Sequence, residues 1–409
     1  MNNPDRLYQP SFDDFELQDE DSVQQERDAG ELLAGQSYSA IVTATDWTVE
    51  TLISQLRKNN ILLDPSFQRR DAWTARRKSE FIESLFLGLP VPQIVLAESK
   101  TKKGSYIVLD GKQRLLTLRQ FADSTNASGF SQFKPTGLQL RPDLNGRGMT
   151  ELLDDSTLEG DVSFFENYTV RTVVLRNWPS EDYLYLVFLR LNSGSLPLSA
   201  QELRQVVSPG PFTRYVAEFT AESAVITALF NAQRKPDFRM RDVELAVRYF
   251  GLVNLLSDYS GNLKLFLDKT CQSLNADWFA REKDIRTQAT ELQNAIELTF
   301  SVFGDDAFRK WNGTNFEKRF NRAVFDVMVY YFRMPAVAQA LSQTTNHQLV
   351  EQFKNLCEQN AQFRTALEST TKSLTALGTR LEVWGHVMND SLKIKVPVPR
   401  FQSDVGRIV

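Results

Sequence analysis

The sequence predicts an α+β protein, a small mixed sheet carrying helices followed by an all-α C-terminal domain. Three observations predict this class. Short β-rich runs alternate with helix-period segments between residues 48 and 191. Beyond about residue 210 strand signals fade and apolar residues recur at helical spacing. The chain of 409 residues, 42% apolar and 24% charged, has the composition and length of two or three soluble domains. The expected organisation is an acidic arm over residues 1–40, an α+β domain over 41–210 and a helical domain over 211–409.

The arm carries Asp13, Asp14, Glu16, Asp19, Glu20 and Asp21, and reads as a disordered or loosely docked segment, either an interaction tail or a solvated leader. Residues 48–58 predict a helix with Thr48 as N-cap and Val49, Leu52, Ile53 and Leu56 on one face. Ile61-Leu62-Leu63 reads as a short strand. Thr74 to Leu87 predicts a helix with Phe81, Ile82, Leu85 and Phe86 on its apolar stripe, stopped by Gly88 and by Pro90 and Pro92. Ile94-Val95-Leu96 is the next strand, and a polar turn over 100–104 leads to Tyr106-Ile107-Val108-Leu109. That strand ends at Asp110-Gly111 and feeds a helix containing Leu115, Leu116, Leu118 and Phe121. Residues 123–160 are rich in Gly, Ser, Asn, Asp and Pro and read as an insertion of loops. Tyr168 to Leu175 returns to the sheet, and a helix from Pro179-Ser180-Glu181 runs to Leu191. A turn at Asn192-Ser193-Gly194-Ser195 precedes a helix from Ser199, where Ser199 and Glu202 fit a capping box and Leu198 with Leu203 a hydrophobic staple. Helical segments then follow at Arg241 to Leu256, Glu282 to Phe303, Phe316 to Phe332, Asn346 to Cys357 and Lys372 to Met388, and a tail with Pro397 and Pro399 reads as extended.

Composition excludes several functions. A net charge of −4 gives no general attraction to nucleic acid, so DNA contact would need a local basic patch. One such group is Arg69, Arg70, Arg76, Arg77 and Lys78 around Trp73, where a stacked aromatic and phosphate contacts are the functional reading and a packed Trp with solvated charges is the alternative. Arg234, Lys235, Arg239 and Arg241 form a second. Cys271 and Cys357 supply neither a disulfide framework nor a zinc pattern, which suggests a reducing compartment. No apolar run reaches the ~18 residues of a membrane helix and no signal-peptide pattern opens the chain, so no membrane partner and a cytoplasmic location are expected. His347 and His386 lack metal-ligand spacing, so no intrinsic His-based nuclease is expected.

Chemistry concentrates in three segments that combine Arg with amide side chains: Gln68-Arg69-Arg70, Asp110-Gly111-Lys112-Gln113-Arg114, and Phe188-Leu189-Arg190-Leu191-Asn192. A strand that feeds a helix through Asp-Gly, with Arg in the first turn, is a place where backbone N–H groups and a guanidinium meet an anion. Each residue also has a purely structural reading: Asp110 as an N-cap with Gln113 at N3, Arg114 and Arg190 as surface charges, Asn192 as a helix C-cap, Arg69 and Arg70 as loop charges.

Taken together, the three segments resemble the N-terminal domain family of GmrSD-type, modification-dependent restriction systems, itself similar in fold to the ParB and sulfiredoxin-like superfamily. The family pattern reads Pro-x-(Phe/Tyr)-Gln-Arg-x-x-x-Trp, then an aliphatic residue with Asp-Gly-Gln-Gln-Arg, then Phe-x-Arg-x-Asn followed by Pro-Leu-Ser. This chain supplies Pro65, Phe67, Gln68, Arg69 and Trp73; Leu109, Asp110, Gly111, Gln113 and Arg114; and Phe188, Arg190, Asn192, Pro197, Leu198 and Ser199. Arg241-Asp242-Val243-Glu244-Leu245 resembles a downstream family segment. Lys112 stands where the family usually has Gln; it could serve a phosphate as a point charge, alter nucleotide choice, or mark hydrolysis lost while binding persists. A Lys after Gly111, where sulfiredoxins carry a reactive Cys, argues against sulfinic-acid reduction.

The resemblance implies a ParB-like N-terminal domain that binds a nucleoside triphosphate and hydrolyses it with Mg²⁺. It implies that Arg69 and Arg114 clamp phosphates, that Asp110 holds the metal or orients water, and that Gln68 and Gln113 position phosphate or water. Gly111 and Lys112 would contribute to nucleotide binding, and Arg190 with Asn192 would close the site. Asp110, Gln113 and Arg114 would be the catalytic set. The implied role is a sensor or regulatory subunit of a bacterial defence system against foreign DNA, as a homo-oligomer, with any cutting done by a nuclease subunit in trans. Two rival readings remain: a ParB-like nucleotide-gated DNA-binding switch without significant turnover, and an inactive scaffold or antitoxin-like partner.

Overall fold

The computed structural model describes residues 40–63, 71–100, 102–123, 130–191, 199–230, 235–342, 346–368 and 373–409. These fall into two compact units that divide between Val207 and Ser208.

The first unit begins with β1 (Ile41–Thr48), which pairs antiparallel along its whole length with a later strand, β5. Thr48 then turns the chain: its side-chain oxygen accepts the Thr51 N–H at 3.1 Å and starts α1 (Val49–Arg57). β2 (Ile61–Leu62) follows. Thr74 repeats the capping device for α2 (Ala75–Phe86), accepting the Arg77 N–H at 3.3 Å. β3 (Ile94–Glu98) and β4 (Tyr106–Asp110) form an antiparallel pair, and β4 passes through Gly111 into α3 (Lys112–Ala122). Then come α4 (Met149–Leu153), α5 (Glu159–Asn167), β5 (Thr169–Arg176), α6 (Glu181–Leu191) and α7 (Ala200–Val207). The sheet order is β1-β5-β3-β4-β2. β3 runs parallel to β5, β2 parallel to β4, and the other two pairs are antiparallel, so the sheet is mixed as expected.

Alternation along the strands builds the core. Val95 and Ala97 of β3, Ile107 and Leu109 of β4 and Leu175 of β5 pack with Leu184, Tyr185 and Phe188 of α6 and Ala200 and Leu203 of α7. A second cluster joins three helices: Phe86 of α2 stacks on Phe165 of α5 at 4.5 Å, and Phe121 of α3 meets Phe165 edge-on at 5.6 Å. Each such ring contributes about 1.5–3 kcal/mol by leaving water.

Two elements depart from expectation. β1 was not anticipated, because its residues alternate between exposed and half-buried without a strong apolar face. The segment expected to be loops throughout contains α4 and the start of α5. Tertiary contacts hold it: Glu83 of α2 accepts the N–H groups of Leu140 and Arg141 at 3.2 and 2.9 Å, and Arg141 pairs with Asp143 and Asp161 at 2.7 and 2.9 Å. The expected acidic arm lies outside the described residues, as do Leu198 and the expected 192–195 turn.

The second unit is mostly helical: α8 (Pro211–Glu222), α9 (Ala224–Ala228), α10 (Arg241–Asn254), α11 (Leu263–Ala276), α12 (Trp278–Phe303), α13 (Arg322–Phe332), α14 (Pro335–Leu341), α15 (Asn346–Gln359), α16 (Ala361–Glu368) and α17 (Leu374–Leu392). Its interior holds charge as well as apolar side chains. Arg248 of α10, 2% exposed, makes a two-pronged contact with Asp326 of α13, its Nε lying 3.0 Å from Oδ1. A short hairpin, β6 (Phe401–Gln402) with β7 (Arg407–Ile408), corrects the all-α expectation for this half; two-residue strands leave no periodic signal. Among the described residues no helix is long and apolar enough to cross a membrane.

Candidate functional site

The Asp110–Arg114 turn owes its shape to two backbone irregularities. Val95 pairs with Asp110 but Leu96 pairs with Val108, so β4 carries one extra residue, Leu109, just before the turn. Such a bulge re-aims the side chains that follow it. Gly111 then adopts φ +94°, and α3 starts with no side-chain cap. The first N–H groups of a helix have no intrahelical partner, so this uncapped end favours an acceptor.

Arg114 organises the turn. Its Nη2 donates to the Gln93 carbonyl at 2.9 Å and to Asp110 Oδ2 at 3.0 Å, tying the start of β3 to the end of β4. Asp110 Oδ1 accepts the Gly111 N–H at 2.7 Å. The Asp110 side chain keeps 31% of its surface exposed, so the carboxylate is reachable. Arg114 Nε and Gln113 Oε1 are buried with no hydrogen-bond partner in the fold, leaving one donor and one acceptor unsatisfied beside the turn. A Cβ on Gly111 would sit 3.0 Å from Ile94 Cγ1 and 3.3 Å from Arg114 Nη2, so the guanidinium lies close over a residue that has to be small.

Lys112 was expected to face phosphate. The structure turns it inward: at 5% exposure its ammonium pairs with Glu202, 4% exposed, in the first turn of α7. A narrow cavity beside the pair, lined by Leu62, Leu63, Val108, Leu203 and Val206, has room for about one water and none for a nucleotide. The physical reason is that α3 packs this side against the interior, where a cation persists only with a carboxylate.

The basic group around Trp73 divides in the same way. Lys78, expected on a DNA-facing patch, is 6% exposed; it pairs with Asp71, donates to Gln120 Oε1 of α3 at 2.6 Å, and so ties α2 to α3. Arg76 and Arg77 are exposed. Arg76 pairs with Glu80 at 2.8 Å, and the Arg77 guanidinium lies 5.0 Å from the centre of the half-buried Trp73 ring. Trp73 itself packs edge-on against Phe81 at 5.6 Å, in keeping with the packed reading. In the second basic group, Arg241 is held by the buried Asp237 at 2.7 Å.

The structure therefore brings Asp110, Gly111, Gln113 and Arg114 into one turn. Arg190 is exposed near the end of α6, a helix anchored by Phe188 in the core that also holds Leu109. Gln68, Arg69, Arg70 and Asn192 lie outside the described residues. Two participants escaped sequence reading. Gln93 acts through its carbonyl, which no side-chain pattern signals; Glu202 was legible only as a helix cap. Among the described residues no group of three or more His, Cys, Asp or Glu side chains could hold a metal by itself.

Residues 49–207 match the family model described as the GmrSD restriction endonuclease, N-terminal domain. No curated protein and no solved structure matches the chain.

Proposed function

Residues 49–207 being a domain of the GmrSD N-terminal family, we propose that the chain is a nucleotide-binding component of a restriction system, with a ParB-like first unit that hydrolyses a nucleoside triphosphate with Mg²⁺. The observation that carries this reading is the Asp110–Arg114 turn, where an uncapped helix start, a guanidinium and a reachable carboxylate meet over a glycine.

Each group has a distinct task. Arg114 holds Asp110 in place and keeps its remaining donors for phosphate oxygens. The Asp110 carboxylate has lone pairs left after accepting Gly111 and Arg114, and these would hold the metal. Gln113 would orient phosphate or water through its unsatisfied carbonyl oxygen and its amide. Mg²⁺, when bound, neutralises developing charge on the phosphate oxygens. The family resemblance adds Gln68, Arg69 and Asn192, which lie outside the described residues, and Arg190, which would reach the site from the end of α6. Lys112, buried against Glu202, takes no direct part.

The test is phosphate release from each of the four common NTPs with Mg²⁺, with and without DNA, by the wild type, Asp110→Ala and Arg114→Ala. Turnover by the wild type and its loss, by about a hundredfold or more, in both variants is expected. Equal turnover in all three would refute the assignment.

A second reading has its own observation. The exposed Arg77 stacked on Trp73 suits phosphate and base contact, which favours a nucleotide-gated DNA-binding switch without significant turnover. Nucleotide binding without phosphate release would select it. In either case we place the protein in the cytoplasm as a homo-oligomer, with a nuclease subunit supplying any cleavage.

A further inference from the structure

Glu202 serves two elements at once. Its Oε2 accepts the Ser199 N–H at 2.7 Å while the Ser199 hydroxyl accepts the Glu202 N–H at 3.1 Å, closing a capping box at the start of α7. Its Oε1 accepts from Lys112 Nζ, which stands immediately after Gly111 at the first position of α3. Both side chains are almost fully buried. Neither charge can leave its partner without sitting desolvated among Leu62, Leu63, Val108, Leu203 and Val206, so the pair resists sliding as well as separation.

We propose that the Lys112–Glu202 pair positions the site: it locks the start of α7 to the first residue of α3 and so holds the Asp110–Arg114 turn in place. Lys112 acts through Glu202 and touches no phosphate. The consequence for ligand rests on the nucleotide reading; the mechanical link does not.

The experiment has two arms. In the first, hydrogen exchange is followed without nucleotide in the wild type and in K112M/E202Q. That double variant is neutral at both positions and retains an amide oxygen to cap Ser199. Exchange in peptides covering 110–118 and 199–207 should rise together by about tenfold while the global melting temperature stays close to that of the wild type. Unchanged exchange in either peptide overturns the proposal. Should the double variant fail to fold, E202Q alone is read in the same way.

In the second arm, the binding of Mg²⁺ with each NTP is measured for the wild type, E202Q and K112Q. A positioning role predicts about tenfold weaker binding by E202Q, and K112Q, which keeps an N–H donor for Glu202, should bind within about threefold of the wild type. A Lys112 that contacts phosphate predicts the reverse order: E202Q frees the ammonium and binds equally or more tightly, and K112Q loses affinity. That order overturns the proposal. A wild type that binds no nucleotide rejects the proposed function, and the exchange arm still decides the positioning role.

Discussion

Gly111→Ala probes the turn on which the site depends. Gly111 sits at φ +94°, and an added methyl would lie 3.0 Å from Ile94 Cγ1 and 3.3 and 3.4 Å from Arg114 Nη2 and Nε. A non-glycine residue held at positive φ costs about 1–3 kcal/mol. Forcing a methyl against a packed Ile adds about 1–3 kcal/mol more. The expected loss is thus roughly 2–6 kcal/mol, which for a unit of about 150–250 residues lowers the melting temperature by roughly 4–24 °C. Ile94 is buried beside the sheet, so the Arg114 guanidinium is the neighbour that yields first. Its contacts with Gln93 and Asp110 should loosen, and ligand affinity should fall at temperatures well below melting. Thermal unfolding by circular dichroism reads the first effect and equilibrium nucleotide titration at low temperature reads the second. A variant that melts within about 1 °C of the wild type would refute the conformation assigned to the turn.

Further outcomes follow from the second unit. Asp326→Ala removes the two-pronged carboxylate partner of Arg248 and should cost about 3–5 kcal/mol in urea unfolding, whereas the apolar pair Arg248→Met with Asp326→Leu should cost much less. Equal losses would contradict a desolvated pair. Cys271 and Cys357 are both buried, and burial pushes the Cys357 thiol up to about 11. The thiolate is therefore scarce at pH 8, and iodoacetamide should label neither cysteine until denaturant is added. Rapid labelling of Cys357 in the folded chain, read by mass spectrometry, would count against the packing around it.

What the sequence disclosed follows from how local each signal is. Thr48, Thr74 and Ser199 cap helices with oxygens three residues from the amides they bind, so a short window contains the whole device. The apolar run Tyr106 to Leu109 ending at Asp-Gly disclosed the strand, the turn and the helix after it for the same reason. The orientation of Lys112 and Lys78 was not legible. Charge type places both in solvent, and what reverses this for Lys112 is Glu202, 90 residues away, and for Lys78 Gln120, 42 residues away, together with the nearer Asp71. The bulge at Leu109, which aims Asp110, depends on the register of two strands and has no one-dimensional trace. β1 hid because an edge strand with half-exposed alternation resembles a loop, and α4 because a five-residue helix exists only through its tertiary contacts. The resemblance was drawn from three distant segments whose separate meanings were ambiguous, and the match over residues 49–207 bears out the family it named.

The most direct measurement is a calorimetric titration of Mg²⁺ with each NTP into the wild type and Arg114→Ala. A phosphate site at the Asp110–Arg114 turn predicts saturable binding of at least one nucleotide by the wild type and a loss of affinity of about a hundredfold in the variant, as expected when a charged group is removed from it. Identical titration curves for the two proteins, or no heat from any nucleotide with the wild type, would contradict it.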